Sequence, residues 1–352
     1  MDGADGVLVD FSGQKLRVLA SSTQPFTSDF RSELLALNTP SDNEIHRAAL
    51  AANQLAEVYA VAVASLLAQT RLTPSDIQAI GTHGQTVRHQ PALGYTTQLN
   101  NPALLAERTG IDVVADFRGR DVAAGGQGAP LVPAFHHSVF SRQGETTLVL
   151  NIGGISNLSV LPATGSVLGF DCGPGNALMD AWAEQHTGQL FDDDGRWAAS
   201  GQLIPALLAS LLDEPYLSIA PPKSTGRDLF SMAWLANKLS PFAALRAADV
   251  QNTLTEFTAS ACITCASSYT NNSKELIVCG GGAFNSHLMQ RLQTGLPSLK
   301  VVSSDTCGLP PLQVEAAAFA WLARQTVLRL PGNLPGVTGA AGLRVLGAVY
   351  PA

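Results

Sequence analysis

The chain has 352 residues, of which 46% are hydrophobic and 14% charged, and its formal net charge is −7. This length and composition predict a folded protein with two domains or two lobes and argue against a disordered chain. The acidic balance argues against nucleic acid or an anionic membrane as the main partner. Five scattered cysteines argue against a disulfide framework, and without a signal-sequence pattern at the start we expect a soluble cytoplasmic protein.

The first eleven residues, MDGADGVLVDF, join an acidic, glycine-containing segment to an apolar one. They predict a turn over residues 2–6 and a strand over residues 7–11. A β-hairpin turn of this kind needs a strand on both sides, and only the outgoing strand is present here.

Further along the chain, helical periodicity alternates with short β-branched runs bounded by Gly or Asn. The predicted helices cover residues 45–69, 103–109, 177–186, 204–212, 250–267, 286–292 and 313–329. The predicted buried strands cover residues 77–82, 113–115, 147–152, 158–161 and 276–279. Because helices alternate with buried strands, the predicted fold class is α/β.

A strand–glycine turn–strand pattern, TLVLNIGGISNLSVLP, begins near residue 147 and repeats the turn and strand seen at the start of the chain. The Pro- and Gly-rich segment GGQGAPLVP, residues 125–133, lies just before it and marks the sharpest change in composition. We therefore predict a first lobe over residues 1–132 and a second lobe over residues 133–352, with the C-terminal helix packing back on the first lobe.

Three glycine-rich segments lie in the second half: NIGGISN (151–157) and CGGGAFN (279–285) come at the ends of predicted strands, and FDCGPGN (170–176) comes at the end of an apolar run. Glycines let backbone N–H groups converge on an anion or a flat ligand, and Asp171 is placed to act as a base or to manage a metal-bound phosphate. Each segment also has an ordinary interpretation. The first is then a hairpin turn, Asp171 is a capping or turn residue, and the third is a plain strand-to-helix turn.

Two polar segments in the first half, GTHGQTVRH (81–89) and DFRGRD (116–121), each follow a short predicted strand. Ligand-contacting loops of α/β folds lie at such positions, and these side chains suit a polyhydroxylated or carboxylated ligand. The ordinary alternatives are a structural role for His83 and surface ion pairs for Arg118 and Arg120.

Three short motifs point to chemistry that the surrounding sequence does not support. The C-x-x-C of Cys262 and Cys265 lacks a second pair, so we expect neither a zinc nor a redox role. DDDG at 192–195 lacks the ligand spacing of a calcium loop. KST at 223–225 lacks the glycine pattern of a phosphate-binding loop, although it could still line a cleft.

Taken together, these segments resemble the anhydro-N-acetylmuramic acid kinase family. The segments that carry the resemblance occur in order along nearly the whole chain: MDGAD, GTHGQTVRH, NPALLAERTGIDVVADFRGRD, AAGGQGAPLVPAFH, LNIGGISN, GFDCGPGNALMDAW, FDDDGRWAASG, PKSTGR, VCGGGAFN and GLPP…EAAAFAWLA. Such an ordered series is more specific than any one member. The resemblance implies the sugar kinase and actin superfold, with two ribonuclease-H-like lobes and ATP in the cleft between them.

The family uses ATP and Mg²⁺ to convert 1,6-anhydro-N-acetylmuramic acid and water to N-acetylmuramic acid 6-phosphate in murein recycling. By resemblance, Asp171 takes a proton from the attacking water. The residues implied to bind ATP are Asp2, Gly3, Gly153, Gly154, Asn157, Gly173, Gly175, Asn176, Gly280, Gly281, Gly282 and Asn285. Those implied to bind the sugar are Thr86, Asp116, Arg118, Arg120 and Glu315. Small-molecule substrates are the expected partners, a homodimer is one assembly allowed for, and no direct metal ligand is assigned.

Family members begin with a strand and a Gly-Thr-Ser turn before the acidic Asp-Gly, whereas this chain starts at the Met of that motif. We expect the loss of this first strand and most of the first phosphate loop to impair phosphoryl transfer, unless an in-frame segment is encoded upstream. The alternatives are therefore an impaired or non-catalytic paralogue, a sugar sensor, or a related sugar or acetate kinase on the same superfold. The combination of GFDCGPGN with THGQT favours the anhydro sugar kinase.

Overall fold

The computed structural model describes residues 3–13, 16–226 and 229–352. Its strands are β1 (Gly3–Asp10), β2 (Arg17–Pro25), β3 (Ile80–Gly81), β4 (Gln85–Gln90), β5 (Tyr95–Leu99), β6 (Val113–Ala115), β7 (Thr146–Ile152), β8 (Ile155–Leu161), β9 (Leu168–Pro174), β10 (Ser273–Cys279), β11 (Lys300–Ser303) and β12 (Ala348–Tyr350). Its helices are α1 (Ser28–Ala36), α2 (Glu44–Thr70), α3 (Pro102–Thr109), α4 (Gly119–Ala123), α5 (Val132–Phe140), α6 (Ala177–Thr187), α7 (Arg196–Ala199), α8 (Pro205–Leu212), α9 (Met232–Leu239), α10 (Ala247–Ser267), α11 (Ser286–Gly295), α12 (Val314–Val327) and α13 (Pro335–Thr338).

The chain divides into two compact units. Unit 1 comprises Met1–Phe135 and Gln313–Ala352, and unit 2 comprises His136–Leu312. The predicted boundary after residue 132 lies three residues from the first division. The C-terminal segment that the prediction placed in the second lobe belongs to unit 1, because α12 packs on β1, β3 and β6.

The strands of unit 1 form small sheets. β1 and β2 are antiparallel, β4 and β5 are antiparallel, and β6 lies between parallel β3 and antiparallel β12. Helix α2 packs on β1, β2 and α3 and buries Leu55 and Leu66 among its core residues. The core of unit 1 is therefore built between α2 and these strands.

Helix α2 is also the one helix of the described chain that is long and apolar enough, by length and composition alone, to cross a membrane. This is a weak indication, because the core helix of a soluble protein passes the same test. The helix carries three charged residues paired with other elements of unit 1, Glu44 with Arg88, Arg47 with Glu33 and Glu57 with Arg108.

Unit 2 contains a five-stranded sheet in the order β11-β10-β7-β8-β9. β7, β8 and β9 form an antiparallel meander, while β10 and β11 add in parallel on the other side of β7. This is the strand arrangement expected for a ribonuclease-H-like lobe. Its core is apolar: Leu148, Leu150, Leu276 and Val278 are fully buried, and α10 packs on β8 and β9.

The α/β class predicted from the sequence is confirmed, and most predicted elements are present with shifted ends. The predicted strand over residues 77–82 is reduced to β3, Ile80–Gly81, and a 3₁₀ helix at Pro74–Asp76 precedes it. The strand predicted over 158–161 begins earlier, at Ile155.

The turn predicted over residues 2–6 is wrong in its described part, because Gly3–Gly6 belong to β1. Gly3 serves close packing instead. A Cβ at Gly3 would lie 2.5 Å from the Gln24 carbonyl oxygen, whereas one at Gly6 would make an ordinary 3.4 Å contact with the Leu66 side chain of α2. The predicted ATP-binding residue Gly3 is thus a strand residue paired with Pro25, and Asp2 lies outside the described residues.

Candidate active site

In unit 2, the β7–β8 hairpin and the turn that precedes α6 are joined by main-chain hydrogen bonds. The Gly175 and Asn176 N–H groups donate to the Gly154 and Gly153 carbonyls at 3.0 and 2.7 Å, and the Ala177 N–H donates to Gly154 at 3.3 Å. The Asn176 side chain adds a bond to the Ile152 carbonyl at 3.1 Å. The N–H groups of Gly175, Asn176 and Ala177 at this helix start are therefore already used by the hairpin.

The glycines of this region allow close approach between segments. A Cβ on Gly280, whose φ is +78°, would lie 2.6 Å from the Asn151 side-chain oxygen and from the Ile152 carbonyl. A Cβ on Gly281 would lie 3.1 Å from the Asn176 amide nitrogen, and one on Gly175 would meet the Gly153 carbonyl. The three glycine segments predicted to share a site are thus brought together within unit 2.

Strand register places a row of side chains across the unit 2 sheet. Cys279 of β10 pairs with Asn151 of β7, Asn151 pairs with Asn157 of β8, and Asn157 pairs with Asp171 of β9. Directly paired residues on neighbouring strands point to the same face of a sheet. Asn151, Asn157 and Asp171 therefore form a polar row. Asn151 lies in the candidate segment NIGGISN but was not among the residues implied to bind ATP, and the strand register places it in this row.

The Asp171 carboxylate is held through one of its two oxygens. Oδ2 accepts hydrogen bonds from the Thr225 N–H at 2.9 Å and the Ser224 hydroxyl at 3.0 Å, and no hydrogen bond to Oδ1 is formed by the described residues. The Asp171 main chain is bonded to the Lys223 carbonyl at 3.1 Å and to the Tyr216 hydroxyl at 2.9 Å. The KST segment, which the sequence left without a role, therefore positions Asp171.

Burial raises the pKa of the Asp171 carboxyl above its ordinary value, although the hydrogen bonds from Thr225 and Ser224 and the charge of Lys223 act in the opposite direction. A raised pKa makes the ionised carboxylate a stronger base. The side chain is oriented, only partly buried, and has one oxygen available to a proton donor.

The other predicted ATP-binding residues of unit 2 differ in surroundings. Gly153 is open, since a Cβ there would meet only the Ile155 carbonyl at 3.8 Å. Gly173 pairs with Ser156, whose buried hydroxyl donates to the Gly173 and Pro174 carbonyls. Gly282 packs against Ile152. Asn285 is the N-cap of α11 and accepts from the Leu288 N–H at 2.9 Å, so it has a structural role.

A cavity of about 550 Å³ also lies in unit 2. Its lining residues are Ala183, Thr187, Gln189, Leu190, Phe191, Asp192, Asp193, Arg196 and Trp197. None of them is a predicted ATP-binding residue. The Asp192 carboxylate is used as a helix cap, accepting from the N–H groups of Trp197 and Ala198 at 2.9 and 2.8 Å.

In unit 1, Arg118 is held by His83. The Arg118 Nε and one terminal nitrogen lie 3.0 and 2.9 Å from the His83 Nε2, and the other terminal nitrogen donates to the Gly128 carbonyl at 2.8 Å. Burial, with the nearby Arg118 charge, lowers the pKa of His83 to about 3. His83 is therefore neutral, with Nε2 as the acceptor. This bonding replaces the surface ion pair considered for Arg118.

Two carboxylates lie within electrostatic range of one another in this region. Glu315, on the first turn of α12, is near both Arg118 and Asp5 of β1. Both acidic side chains are exposed to solvent, and Asp5 accepts from the Thr23 hydroxyl at 2.6 Å. Arg118, His83, Glu315 and Asp5 form the polar cluster of unit 1. Asp5 and His83 were not among the predicted sugar-binding residues.

The remaining predicted sugar-binding residues lie on β4, on α4 or just before α4. The Thr86 hydroxyl accepts from the Gln98 amide at 3.2 Å. Asp116 is exposed, has a φ of +58° and accepts from the Gly119 N–H at 3.1 Å, which is a turn role. Arg120 is exposed on α4.

The sequence and the fold of this chain are similar to those of known proteins. A family model described as Anhydro-N-acetylmuramic acid kinase matches residues 1–352, the whole chain. Proteins named anhydro-N-acetylmuramic acid kinase from Variovorax paradoxus (strain S110) and Albidiferax ferrireducens (strain ATCC BAA-621 / DSM 15236 / T118) are each 62% identical to this chain. These alignments cover 100% of this chain and 96% and 97% of the two relatives.

Two solved structures show a weaker likeness. The activator of the 2-hydroxyisocaproyl-CoA dehydratase from Clostridium difficile with bound ADPNP aligns with a TM-score of 0.44 and 12% identity, covering 93% of this chain and 98% of that one. A ROK family glucokinase from Streptomyces griseus in complex with glucose and AMPPNP aligns with a TM-score of 0.42 and 14% identity, covering 92% and 100%. At these scores the likenesses carry no argument about the site.

Proposed function

This chain belongs to the anhydro-N-acetylmuramic acid kinase family, and on that premise we propose that Asp171 is the general base of its reaction. The protein is a kinase of murein recycling that converts 1,6-anhydro-N-acetylmuramic acid, water and ATP to N-acetylmuramic acid 6-phosphate and ADP. The observation that carries the proposal is the carboxylate of Asp171, fixed at Oδ2 by Ser224 and Thr225 with Oδ1 available.

The proposed step couples ring opening to phosphoryl transfer. Water attacks the anomeric carbon of the anhydro sugar, and Asp171 Oδ1 takes a proton from that water. The bond from the anomeric carbon to O6 breaks, and O6 attacks the γ-phosphorus of ATP, which releases ADP. Phosphoryl transfer depends mainly on positioning and charge stabilisation, so a fixed carboxylate suits this role.

For ATP, we propose that the phosphates lie along the open hairpin tip at Gly153 and Gly154 and along the glycine turn Gly280–Gly282. Asn151 and Asn157, in the polar row with Asp171, would then direct side-chain amides toward the transferred phosphoryl group. Gly173, Gly175 and Asn176 act indirectly, because they hold the hairpin in place. Asn285 contributes by starting α11.

The described residues contain no group of three or more His, Cys, Asp or Glu side chains that could hold a metal ion. This composition fits a magnesium ion held mainly by phosphates and water, which is how Mg²⁺ commonly binds in kinases. When bound, the ion supplies neutralisation of phosphate charge. We propose Asp171 as the carboxylate of unit 2 beside such a site.

For the sugar, we propose the polar cluster of unit 1 as its binding surface. Arg118, with its guanidinium oriented by His83 and Gly128, suits the lactyl carboxylate of a muramic acid, since Arg forms directional bonds to carboxylates. Glu315 and Thr86 offer acceptors for sugar hydroxyl and amide groups. Arg120 and Asp116 are placed at the edge of this surface, with Asp116 shaping the turn. We expect the enzyme to act in the cytoplasm.

The experiment is Asp171→Asn, which keeps the size of the side chain and removes the base. We expect ATP binding to persist and turnover of the anhydro sugar to fall by about 10²-fold or more. The matched control is Asp213→Asn, an exposed aspartate of the same unit. Turnover of Asp171→Asn within a few-fold of the unmodified protein would reassign Asp171 to a structural turn.

A further inference from the structure

Three of the five cysteines lie together in unit 2. Cys172 is on β9, next to Asp171, and Cys262 and Cys265 lie on successive turns of α10, which packs on β9. Cys172 and Cys262 lie in one buried cluster with Cys265 packed against it, the Cys172 thiol interacts with both α10 thiols, and all three are free. The sequence showed only the C-x-x-C motif of Cys262 and Cys265, for which no redox role was expected. The third thiol, some 90 residues earlier in the chain, joins them through the fold.

The three thiols differ in exposure. Cys172 and Cys262 are fully buried, whereas Cys265 is partly exposed. The hydrogen bond from Cys172 and the charge of Lys223 lower the pKa of the Cys265 thiol against the effect of burial. Lys223 is itself fixed, since its ammonium donates to the Leu217 carbonyl at 3.1 Å. The thiolate is the nucleophilic form of cysteine, so Cys265 is the thiol of this cluster that a small oxidant can reach and react with.

Helix geometry decides which thiol is the partner of Cys265. Residues i and i+3 of a helix have Cβ atoms about 5–6 Å apart. A disulfide needs Cβ atoms about 3.5–4.5 Å apart. Cys262 and Cys265 cannot be bridged without unwinding α10, whereas Cys172 approaches Cys265 from a different element.

We propose that Cys265 and Cys172 form a peroxide-sensitive thiol pair whose oxidation to a disulfide lowers turnover by displacing Asp171 on β9. The Cys265 thiolate attacks a peroxide oxygen, the O–O bond breaks, and Cys265 becomes a sulfenic acid with release of water or an alcohol. The Cys172 thiol then attacks the Cys265 sulfur, a disulfide forms, and water leaves. Two thiols are oxidised by two electrons and one peroxide is reduced; a dithiol reverses the reaction by exchange.

The disulfide acts on the reaction through Asp171, so this inference rests on the proposed function. Bonding brings the two sulfur atoms from non-bonded contact to about 2.05 Å. Residue 172 must therefore move toward α10, and Asp171, the adjacent residue, moves with it. Asp171 depends on the Ser224, Thr225 and Lys223 contacts for its orientation. Because a displacement of about 1 Å can cost 10²-fold in rate, we expect at least a tenfold loss of turnover.

The test oxidises the full chain with hydrogen peroxide, blocks remaining thiols with an alkylating agent, and maps disulfides by peptide mass spectrometry. Turnover of the anhydro sugar with ATP is measured before oxidation, after it, and after dithiothreitol. We expect a Cys172–Cys265 linkage, a tenfold or larger loss of turnover, and recovery with the reductant. Cys265→Ser should keep its turnover under peroxide. Cys307→Ser, which removes another partly exposed thiol, should remain as sensitive as the unmodified protein.

Absence of a Cys172–Cys265 linkage in the oxidised protein, or a linkage to Cys262 in its place, would overturn the proposal. So would a fully linked protein with unchanged turnover, or a Cys265→Ser protein inactivated to the same extent as the unmodified chain. The mapping needs no enzymatic activity and no variant. A protein that forms the linkage on oxidation but has no activity in its reduced form would therefore count against the proposed function and leave the thiol chemistry established.

Discussion

The protonation state of His83 follows from its neighbours in unit 1. Its Nε2 accepts two contacts from Arg118, and a protonated ring would place two positive groups against each other. Burial and the Arg118 charge therefore lower the pKa of His83 to about 3. Above this pH the ring stays neutral, so it can hold the guanidinium over the whole physiological range without titrating.

His83→Phe should raise the KM for the anhydro sugar about 10-fold or more, with a smaller effect on kcat and on the KM for ATP. The physical reason is the loss of an acceptor for a charged donor, worth about 1.5–3 kcal/mol, while the ring can still pack on Phe319. His83→Gln retains an acceptor and should restore part of the affinity. Steady-state kinetics with each substrate varied in turn measure this. If His83→Phe and His83→Gln raised the KM for the sugar to the same extent, and each raised the KM for ATP as much as the KM for the sugar, a positioning role for His83 would be contradicted.

The Ser224 hydroxyl affects the pKa of Asp171, the proposed general base. The rate requires ionised Asp171, so kcat/KM should fall as the pH drops through a pKa that is raised above the usual aspartate value. The Ser224 hydroxyl lowers that pKa by donating to the ionised form. Ser224→Ala should therefore move the acidic limb of the pH–rate profile to higher pH, with little change near neutrality. Ser32→Ala, at an exposed serine of α1, is the control, and an unmoved limb in Ser224→Ala would disprove the assignment.

Among the secondary-structure elements, α4 and α13 are joined through one buried carboxylate. Asp121 of α4 is fully buried, and its two oxygens accept from the Gly128 N–H, the Asn333 amide and the Thr338 hydroxyl, each at 2.8 Å. The C-terminal segment is thereby attached to the segment that carries Arg118. Asp121 lies in the segment DFRGRD, which the sequence predicted to contact a ligand. In the structure its carboxylate accepts hydrogen bonds from other residues of unit 1.

Asp121→Asn should lower the free energy of unfolding by about 1–3 kcal/mol, because an amide group would face donors that now have an acceptor. A lower midpoint in thermal denaturation would show this. Asp42→Asn, in the exposed turn before α2, should leave the midpoint unchanged. Equal midpoints for Asp121→Asn and the unmodified protein would mean that the hydrogen bonds accepted by this carboxylate do not stabilise the fold.

At the scale of elements, sequence periodicity predicted long helices well, since α2 and α12 each lie within a few residues of the expected span. Glycine was harder to interpret. Gly3 and Gly6 were taken for turn residues, yet both lie in β1, and at Gly3 the neighbouring strand approaches too closely for a Cβ. The same residue type serves turns and close packing, and only the partner across the contact distinguishes the two.

For the whole molecule, the sequence predicted the α/β class and three of the five strands of the unit 2 sheet, β7, β8 and β10, because these are apolar runs bounded by Gly or Asn. It did not predict contacts between distant segments. The polar row depends on the pairing of three strands, the Ser224–Asp171 bond joins residues 53 apart, and Cys172 meets α10 through packing. Such contacts are determined by tertiary structure, which local patterns do not encode.

The bonds between the hairpin tip and the turn before α6 constrain how the length of this region can vary. Gly153 and Gly154 each accept from the turn, and Gly175 fits only because it lacks a side chain. An inserted or deleted residue in either loop would displace all of these donors from their acceptors at once. Relatives that change the length of one loop should therefore change the other in step, so the two loops, some 20 residues apart in the chain, are expected to evolve as a single length-restricted unit.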